Sequence, residues 1–276
     1  MSTPLQGTLW VARDWFLYVS DADRYDDLQS TTSSMIVSPM GPWRVRSKQQ
    51  EWHGRILAHA SHQKRSGCGP GGISFWPTPS SNLALTLKAI MSARNESFAV
   101  LDHLLATKGF TAMVNGYERL KAATFPVNEL ASAMTDIHEY LVEEAGTIHP
   151  VDPRAELLAK RLRCDRTSHL SISQHATEMG ISPDRLRHLF VQSYGLRVTQ
   201  YLAWLKIHTA VKYAATEALP KPSVTAAAFA AGFADNAHLS NTTRRLFSTK
   251  PSELIGTDFA FIAVEPLTPR GCTCCL

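Results

Sequence analysis

One stripe of a predicted helix in the C-terminal half carries side chains suited to reading a polar partner. Asp184, Arg187, His188 and Val191 follow one another at spacings of three and four residues, which places them on one helix face. The guanidinium of Arg187 suits a bidentate contact with O6 and N7 of guanine, and the carboxylate of Asp184 suits the amino group of cytosine. Two plainer interpretations stay open: Asp184 orients Arg187, or the two form a solvated pair.

A second predicted helix presents a matching face, with Asn236, Ala237, His238 and Asn241 as candidate base contacts. Asparagine is the side chain suited to adenine. Basic residues nearby are candidates for phosphate contacts, which position a protein on DNA without specifying the sequence. They are Arg197, Arg244, Arg245 and Lys250, and for Arg245 a structural salt bridge is an equal alternative. Residues 151–276 hold 15 Lys and Arg against 10 Asp and Glu, so the positive excess of the chain lies in this half.

Two similar helical pairs are predicted to position these faces. The stretches 172–186 and 224–239 each place an alanine four residues before a glycine and then a capping residue before the next helix. A small side chain lets two helices cross closely, and glycine tolerates the positive φ of a tight turn. The residues concerned are Ala176, Gly180 and Ser182 in the first copy, and Ala228, Gly232 and Asp235 in the second. Ser173 and Thr225 are expected to cap the first helix of each copy. One copy fits a plain helical hairpin, whereas two copies in a basic half favour DNA binding.

The segment from Ala155 to Leu254 resembles the DNA-binding domain of AraC-type transcription regulators, through the stretches 180–195 and 232–252. The resemblance implies two helix-turn-helix units that place recognition helices in successive major grooves. A joining helix from Val198 to about Ala215 would be about 27 Å long. That length suits two reading helices about one DNA turn, ~34 Å, apart. Thr243 and Lys206 stand where the family usually has Phe and Arg, which predicts looser packing in the second unit.

The first 80 residues are predicted to form short strands, because aromatic and β-branched runs alternate with Pro, Gly, Ser and Asp. The glycine-rich residues 66–72 are predicted to be a loop, and an apolar stripe over 98–105 indicates a helix. With the helical C-terminal half, the fold class is α+β. The layout resembles the family's cupin-like barrel, here degenerate. It implies an effector and dimerisation domain over residues 1–150, a DNA-binding domain over 151–256 and a tail over 257–276.

His53, His59 and His62 are the only candidates for a metal site in the N-terminal half, and strand alternation separates His59 from His62. We interpret them as surface or loop histidines and predict neither a metal nor a cofactor. Tryptophans concentrated near the N-terminus could line an apolar ligand pocket, although core packing is the favoured interpretation. They are Trp10, Trp15, Trp43, Trp52 and Trp76.

Two further segments leave alternatives open. The amphipathic helix predicted from Asn128 to Glu144 either forms a dimer seam or packs on its own domain. Cys272, Cys274 and Cys275 have a spacing that can bind a soft metal or sense thiol oxidation, with an exposed, oxidation-prone tail as the favoured interpretation.

The sequence therefore predicts a cytoplasmic transcription regulator that binds double-stranded DNA sequence-specifically. An activator that works as a homodimer is expected, with RNA polymerase and a small-molecule effector as further partners. No membrane association is expected, since no apolar run approaches the ~18–20 residues of a membrane span. An enzyme is not expected, because phosphate loops, zinc signatures and nucleophile elbows are missing. The alternatives are a thiol- or metal-responsive regulator that uses the cysteine tail and a cupin-type metalloenzyme.

Overall fold

A computed structural model describes residues 7–21, 23–164, 171–216, 223–247, 250–251 and 259–263. Its strands are β1 (Gly7–Val11), β2 (Trp15–Ser20), β3 (Asp23–Leu28), β4 (Ser34–Val37), β5 (Trp43–Ser47), β6 (Gln50–Gly54), β7 (Ile56–His59), β8 (Arg65–Gly69), β9 (Gly72–Pro77), β10 (Phe98–Val100) and β11 (Phe259–Ala263). Its helices are α1 (Asn82–Arg94), α2 (Lys108–Asn115), α3 (Tyr117–Lys121), α4 (Val127–Ala145), α5 (Pro153–Cys164), α6 (Ile172–Glu178), α7 (Pro183–Tyr194), α8 (Val198–Thr216), α9 (Val224–Ala230) and α10 (Asn236–Phe247). A 3-10 helix spans Asp102–Ala106. The predicted α+β class is confirmed.

The strands form two sheets. A seven-stranded sheet has the order β10-β7-β4-β9-β2-β1-β11, and a four-stranded sheet has the order β3-β8-β5-β6. The edge strand β11 comes from the segment predicted as a tail and pairs in parallel with β1. The cysteines at positions 272, 274 and 275 lie outside the described residues. Within the described ranges, every helix is too short or too polar to span a bilayer.

Strand alternation lets the seven-stranded sheet bury both of its faces. One face packs on α1 to α4, with Leu17 and Met35 among its buried side chains. On the other face, Ile36 and Leu57 meet the four-stranded sheet. The β1 and β2 end of that same face carries Leu9, Val11 and Phe16, and these pack against the C-terminal helices. One sheet face therefore serves two partners.

The glycine-rich segment predicted as a loop contains a strand and the start of another, so that prediction was wrong for residues 66–69 and 72. Strand β8 pairs with β3 and β5 in the middle of the four-stranded sheet. A Cβ on Gly67 would lie 2.6 Å from Oη of Tyr25, and one on Gly69 would collide with the ring of Trp43. The glycines are present because the two aromatic rings, stacked 5.9 Å apart, pass over them.

The prediction of a helix over residues 98–105 was also wrong, since this segment forms β10 followed by the 3-10 helix. A carboxylate explains the change: Asp102 Oδ1 accepts from the backbone N–H groups of Arg55 and Ile56, both at 2.7 Å, at the start of β7. The apolar stripe of α4 packs within its own domain, because Leu130, Ile137 and Leu141 belong to the core between the sheet and the helices.

His59 is not the surface or loop histidine that the sequence analysis expected. It is 7% exposed on β7, opposite Ser34 of β4, whose Oγ lies 2.9 Å from its Nε2. Burial holds the pKa of His59 well below its ordinary value, and the nearby charge of Arg65 lowers it further. His53 is exposed and contacts Glu51 at 2.7 Å. Trp10 and Trp43 are fully buried, in agreement with core packing.

The buried imidazole gives the stability of the chain a defined pH dependence. Because the folded-state pKa of His59 is lowered, the unfolded chain binds its proton first, and stability falls as the pH drops below about 6.5. This residue should therefore make the folded chain less stable at pH 5.5 than at pH 7.5, by on the order of 1 kcal/mol. His59→Gln should remove that part of the acid sensitivity, measured by urea unfolding at both pH values. Equal sensitivity of His59→Gln and of the exposed control His53→Gln would contradict the assignment.

Candidate nucleic-acid interface

The first helical pair consists of α6 and α7 around a glycine turn. Ala176 and Leu186 are buried where the two helices meet, and Gly180 has a φ of +66°. The Ile181 N–H donates to the Ala176 carbonyl at 3.0 Å, which closes the end of α6. Ser182 accepts from the backbone N–H of Arg185 at 3.2 Å and starts α7. The predicted roles of the alanine, the glycine and the cap are confirmed.

The second pair, α9 and α10, repeats this geometry. Ala228 is buried, Gly232 has a φ of +71°, and the Phe233 N–H donates to the Ala228 carbonyl at 3.0 Å. Asp235 accepts from the backbone N–H of His238 at 2.6 Å, as its predicted capping role requires. The correspondence of both turns shows that the sequence repeat is a structural repeat.

The caps of the first helices differ from the prediction by two residues. Ser171 and Ser223, rather than Ser173 and Thr225, accept from the backbone N–H groups of the first turn. Helix α6 starts earlier because Ser171 forms a capping box with Gln174, in which each side chain binds the other's backbone. Helix α9 starts after Ser223, whose side chain accepts from the backbone N–H of Ala226. The hydroxyl of Thr225 is used elsewhere, as the acceptor for the side-chain amide of Asn236 at 2.8 Å.

Helix α8 joins the two units as predicted. Tyr201, Trp204 and Ile207 are buried along it, whereas Leu202 is exposed. Lys206 donates to the carbonyl of Gly232 at 2.7 Å, which ties the second turn to the joining helix. Thr243 is buried and donates back to the carbonyl of Leu239 at 2.9 Å. Both departures from the family pattern thus fill structural roles in the second unit.

The predicted face of α7 is open to solvent. Asp184, Arg187, His188 and Val191 are all exposed. Arg187 Nη1 lies 2.6 Å from Asp184 Oδ1, with the two side chains 53% and 93% exposed. An exposed pair of this kind contributes about 0–1 kcal/mol, so Arg187 can leave Asp184 at little cost.

The predicted face of α10 is also open, with Ala237, His238 and Asn241 exposed. The ring of His238 meets Phe233 edge-on at 5.1 Å. Asn236 is exposed, but its amide already ties the start of α10 to α9. Among the candidate phosphate contacts, Arg197, Arg244, Arg245 and Lys250 are exposed, on the helical units or beside them.

Contacts between the β-rich half and the helical half were missed by the sequence analysis, because no local pattern encodes them. Ser80 lies 2.7 Å from the hydroxyl of Tyr201, and the His208 ring lies 3.0 Å from the carbonyl of Ala12. Lys88 on α1 donates to the carbonyls of Gln192 and Ser193 at 3.0 and 2.8 Å. These carbonyls end α7, so an ammonium from the β-rich half binds the negative end of a candidate recognition helix.

The part of the chain that the structure describes holds no group of three His, Cys, Asp or Glu side chains placed to bind an ion. His53, His59 and His62 do not converge there.

Comparisons with known proteins agree with this architecture. Residues 175–256 match a family model described as a helix-turn-helix domain. No curated protein sequence matches the chain. The structure of ToxT from Vibrio cholerae with a bound unsaturated fatty acid is similar with a TM-score of 0.53 and 11% identity, covering 88% of this chain and 95% of ToxT. A second ToxT structure, with a bound naphthalenyl butenoic acid, gives a TM-score of 0.55 and 13% identity, covering 89% and 99%. At 11% and 13% sequence identity, these two similarities show a shared fold and nothing more.

Lys88 provides a direct test of how the two halves are connected. Lys88→Met should remove two charged hydrogen bonds at the end of α7 and lower the free energy of unfolding by about 1–2 kcal/mol. The loss is smaller than two such bonds imply, because burial lowers the pKa of Lys88 and the methionine avoids that desolvation. Urea unfolding measures the change. The control is Lys108→Met, whose side chain is 78% exposed. Equal effects of both variants would show that the contact contributes nothing specific.

Proposed function

We propose that the chain is a DNA-binding transcription regulator of the AraC type, in which α7 and α10 read base pairs in successive major grooves. The match of residues 175–256 to a helix-turn-helix domain supports this proposal. The observation that carries the proposal is the repeated turn. In both copies a buried alanine and a glycine with positive φ hold the second helix so that a polar stripe faces solvent.

The first recognition helix supplies the stronger candidate for specific contact. Arg187 donates two hydrogen bonds to guanine after leaving Asp184, and Asp184 accepts from cytosine or orients the guanidinium. His188 flanks them on the same exposed stripe, and the apolar Val191 suits a thymine methyl group.

The second recognition helix, α10, offers fewer side chains for contact with base edges than α7 does. Asn241 is suited to adenine, with His238 and Ala237 beside it, whereas Asn236 keeps its structural bond to Thr225. Four basic residues contact phosphates of the DNA backbone: Arg197, Arg244, Arg245 and Lys250. Val198–Thr216 spaces the two units along the duplex.

The finer features of the proposal rest on the AraC-type resemblance. In it, residues 1–150 are an effector domain, 151–256 the DNA-binding domain and 257–276 a tail, and the protein is an activator that works as a homodimer with RNA polymerase. The stripe of α4 is occupied within the chain, so the dimer proposal does not depend on that helix. The effector proposal gains support from ToxT, which shares the fold and binds an unsaturated fatty acid.

Arg187 tests sequence readout. In a selection from random duplexes, Arg187→Ala should lose about 1–3 kcal/mol, roughly 5–150-fold, at one base pair and accept other bases there. Arg185→Ala is the matched control, since Arg185 is exposed one residue off the stripe and only its backbone N–H donates to the capping hydroxyl of Ser182. Unchanged preference at every position in Arg187→Ala would remove the residue from the interface. The absence of any enriched sequence with the wild-type chain would remove the function.

Lys250 tests the proposed phosphate contacts that position the protein on the DNA backbone. Lys250→Ala should weaken binding to all duplexes alike and reduce the slope of log K against log salt by about 0.9, since one phosphate contact is lost. DNA-binding titrations between about 50 and 200 mM salt measure this slope, because phosphate contacts weaken strongly over that range. The control is Lys108→Ala on α2, in the β-rich half. A loss confined to one sequence would contradict a phosphate role for Lys250.

A further inference from the structure

One short segment of the β-rich half contacts both recognition helices. It spans residues 76–88, from the end of β9 into α1, and we call it the bridge segment. At its start, the ring of Trp76 lies 5.4 Å from the ring of Phe247, the last residue of α10. At its other end, Lys88 donates to two carbonyls in the last turn of α7. The bridge segment therefore holds the C-terminal ends of α7 and α10 at the same time.

The middle of the bridge segment contacts the joining helix at the place where α7 packs on it. Ser80 Oγ lies 2.7 Å from the hydroxyl of Tyr201 on α8. The Tyr201 ring lies 5.3 Å from the ring of Phe190 and 6.4 Å from that of Tyr194, both on α7. This hydrogen bond therefore restrains the side chain against which the first recognition helix rests.

The bridge segment is itself held firmly on the β-rich half. Pro77 and Pro79 each have a φ angle fixed by their ring. Between them, the Thr78 N–H donates to the carbonyl of Asp14 at 2.7 Å. Ser81 then caps α1, whose apolar side packs into the core below the seven-stranded sheet. A rigid segment that contacts two helices restrains both the distance and the angle between them.

These contacts leave the reading faces free. The carbonyls that Lys88 binds follow Val191, the last residue of the α7 stripe, and Phe247 lies beyond Asn241, the last residue of the α10 stripe. In B-DNA, each added base pair moves two contact points about 3.4 Å further apart and rotates them by about 34°. Two helices held at one distance and angle therefore fit one spacing between their half-sites better than its neighbours.

We propose that the bridge segment is a positioning element for DNA reading. Trp76, Ser80 and Lys88 hold α7 and α10 in one relative placement and thereby restrict the spacing of the half-sites that the chain accepts. The three side chains act through the helices and not through contacts with DNA. The inference rests on the proposed function, in which α7 and α10 read one binding site, and it adds a selectivity for spacing that the β-rich half imposes.

Selection by the full chain tests the proposal, using duplexes that carry the two half-sites preferred by the wild type at varied spacings. The wild type should enrich one spacing. Trp76→Ala combined with Lys88→Met should lower the preference for that spacing, over spacings one base pair longer or shorter, at least about fivefold, because the ring contact and the charged bonds are lost. Base preference within each half-site should stay unchanged. A smaller folded fraction would lower binding to all spacings alike, so the spacing profile separates positioning from stability.

Conservative and control variants sharpen this test. Trp76→Phe combined with Lys88→Arg keeps the ring and the cation and should retain the spacing preference of the wild type. The matched control is Trp52→Ala combined with Lys108→Met. It removes a half-buried tryptophan that stacks on Phe98 at 4.2 Å and an exposed lysine, both within the β-rich half, and should also retain that preference.

Ser80→Ala provides a milder variant, which removes one hydroxyl and should broaden the spacing profile in the same direction. The proposal is overturned if the variant of Trp76 and Lys88, or Ser80→Ala where that variant does not fold, keeps the wild-type profile. It is also overturned if the control variant broadens the profile equally, or if the wild type accepts several spacings equally well, and in both cases the proposed function stands. Enrichment of no duplex by the wild type would remove the proposed function and this inference together.

Discussion

The packing of Phe16 against the joining helix is the contact on which the rest of the structure depends. Its ring stacks on Trp204 at 5.5 Å and on His208 at 4.8 Å. An aromatic side chain buries roughly 150–250 Å², which at ~25 cal/mol/Å² corresponds to at most about 4–6 kcal/mol. The half-exposed ion pair of Arg163 with Asp14 contributes far less. Apolar burial from one strand therefore fixes the helix that spaces both recognition helices.

That contact also connects the two ends of one sheet face. Strand β9 pairs with β2, which carries Phe16, and with β4, which carries Ile36 into the space between the sheets. The four-stranded sheet packs on the β4 and β7 end of this face, while the helical half packs on the β1 and β2 end. An effector of the β-rich half, as proposed above, changes DNA binding only if it favours one packing of this sheet over another. The bond from Lys88 to the end of α7 provides a second connection from the opposite face.

The sequence predicted the helical half well because its rules are local. Gly180 and Gly232 occupy turns that require positive φ, and Ser182 and Asp235 cap the helices that follow. The β-rich half was predicted less well, because its determinants come from distant strands. The glycines of β8 make room for rings on β3 and β5, and no pattern within β8 shows this. The burial of His59 and the contact of Lys88 with α7 depend on tertiary packing in the same way.

Methylation interference at guanine N7, on a duplex selected by the full chain, tests most directly whether two helices read one binding site. Guanine N7 lies in the major groove, where recognition helices bind. The account predicts two clusters of interfering guanines centred about 10 base pairs apart on one face of the duplex, because the joining helix sets the units about one turn apart. A single cluster, or clusters on opposite faces, would contradict the paired arrangement of α7 and α10.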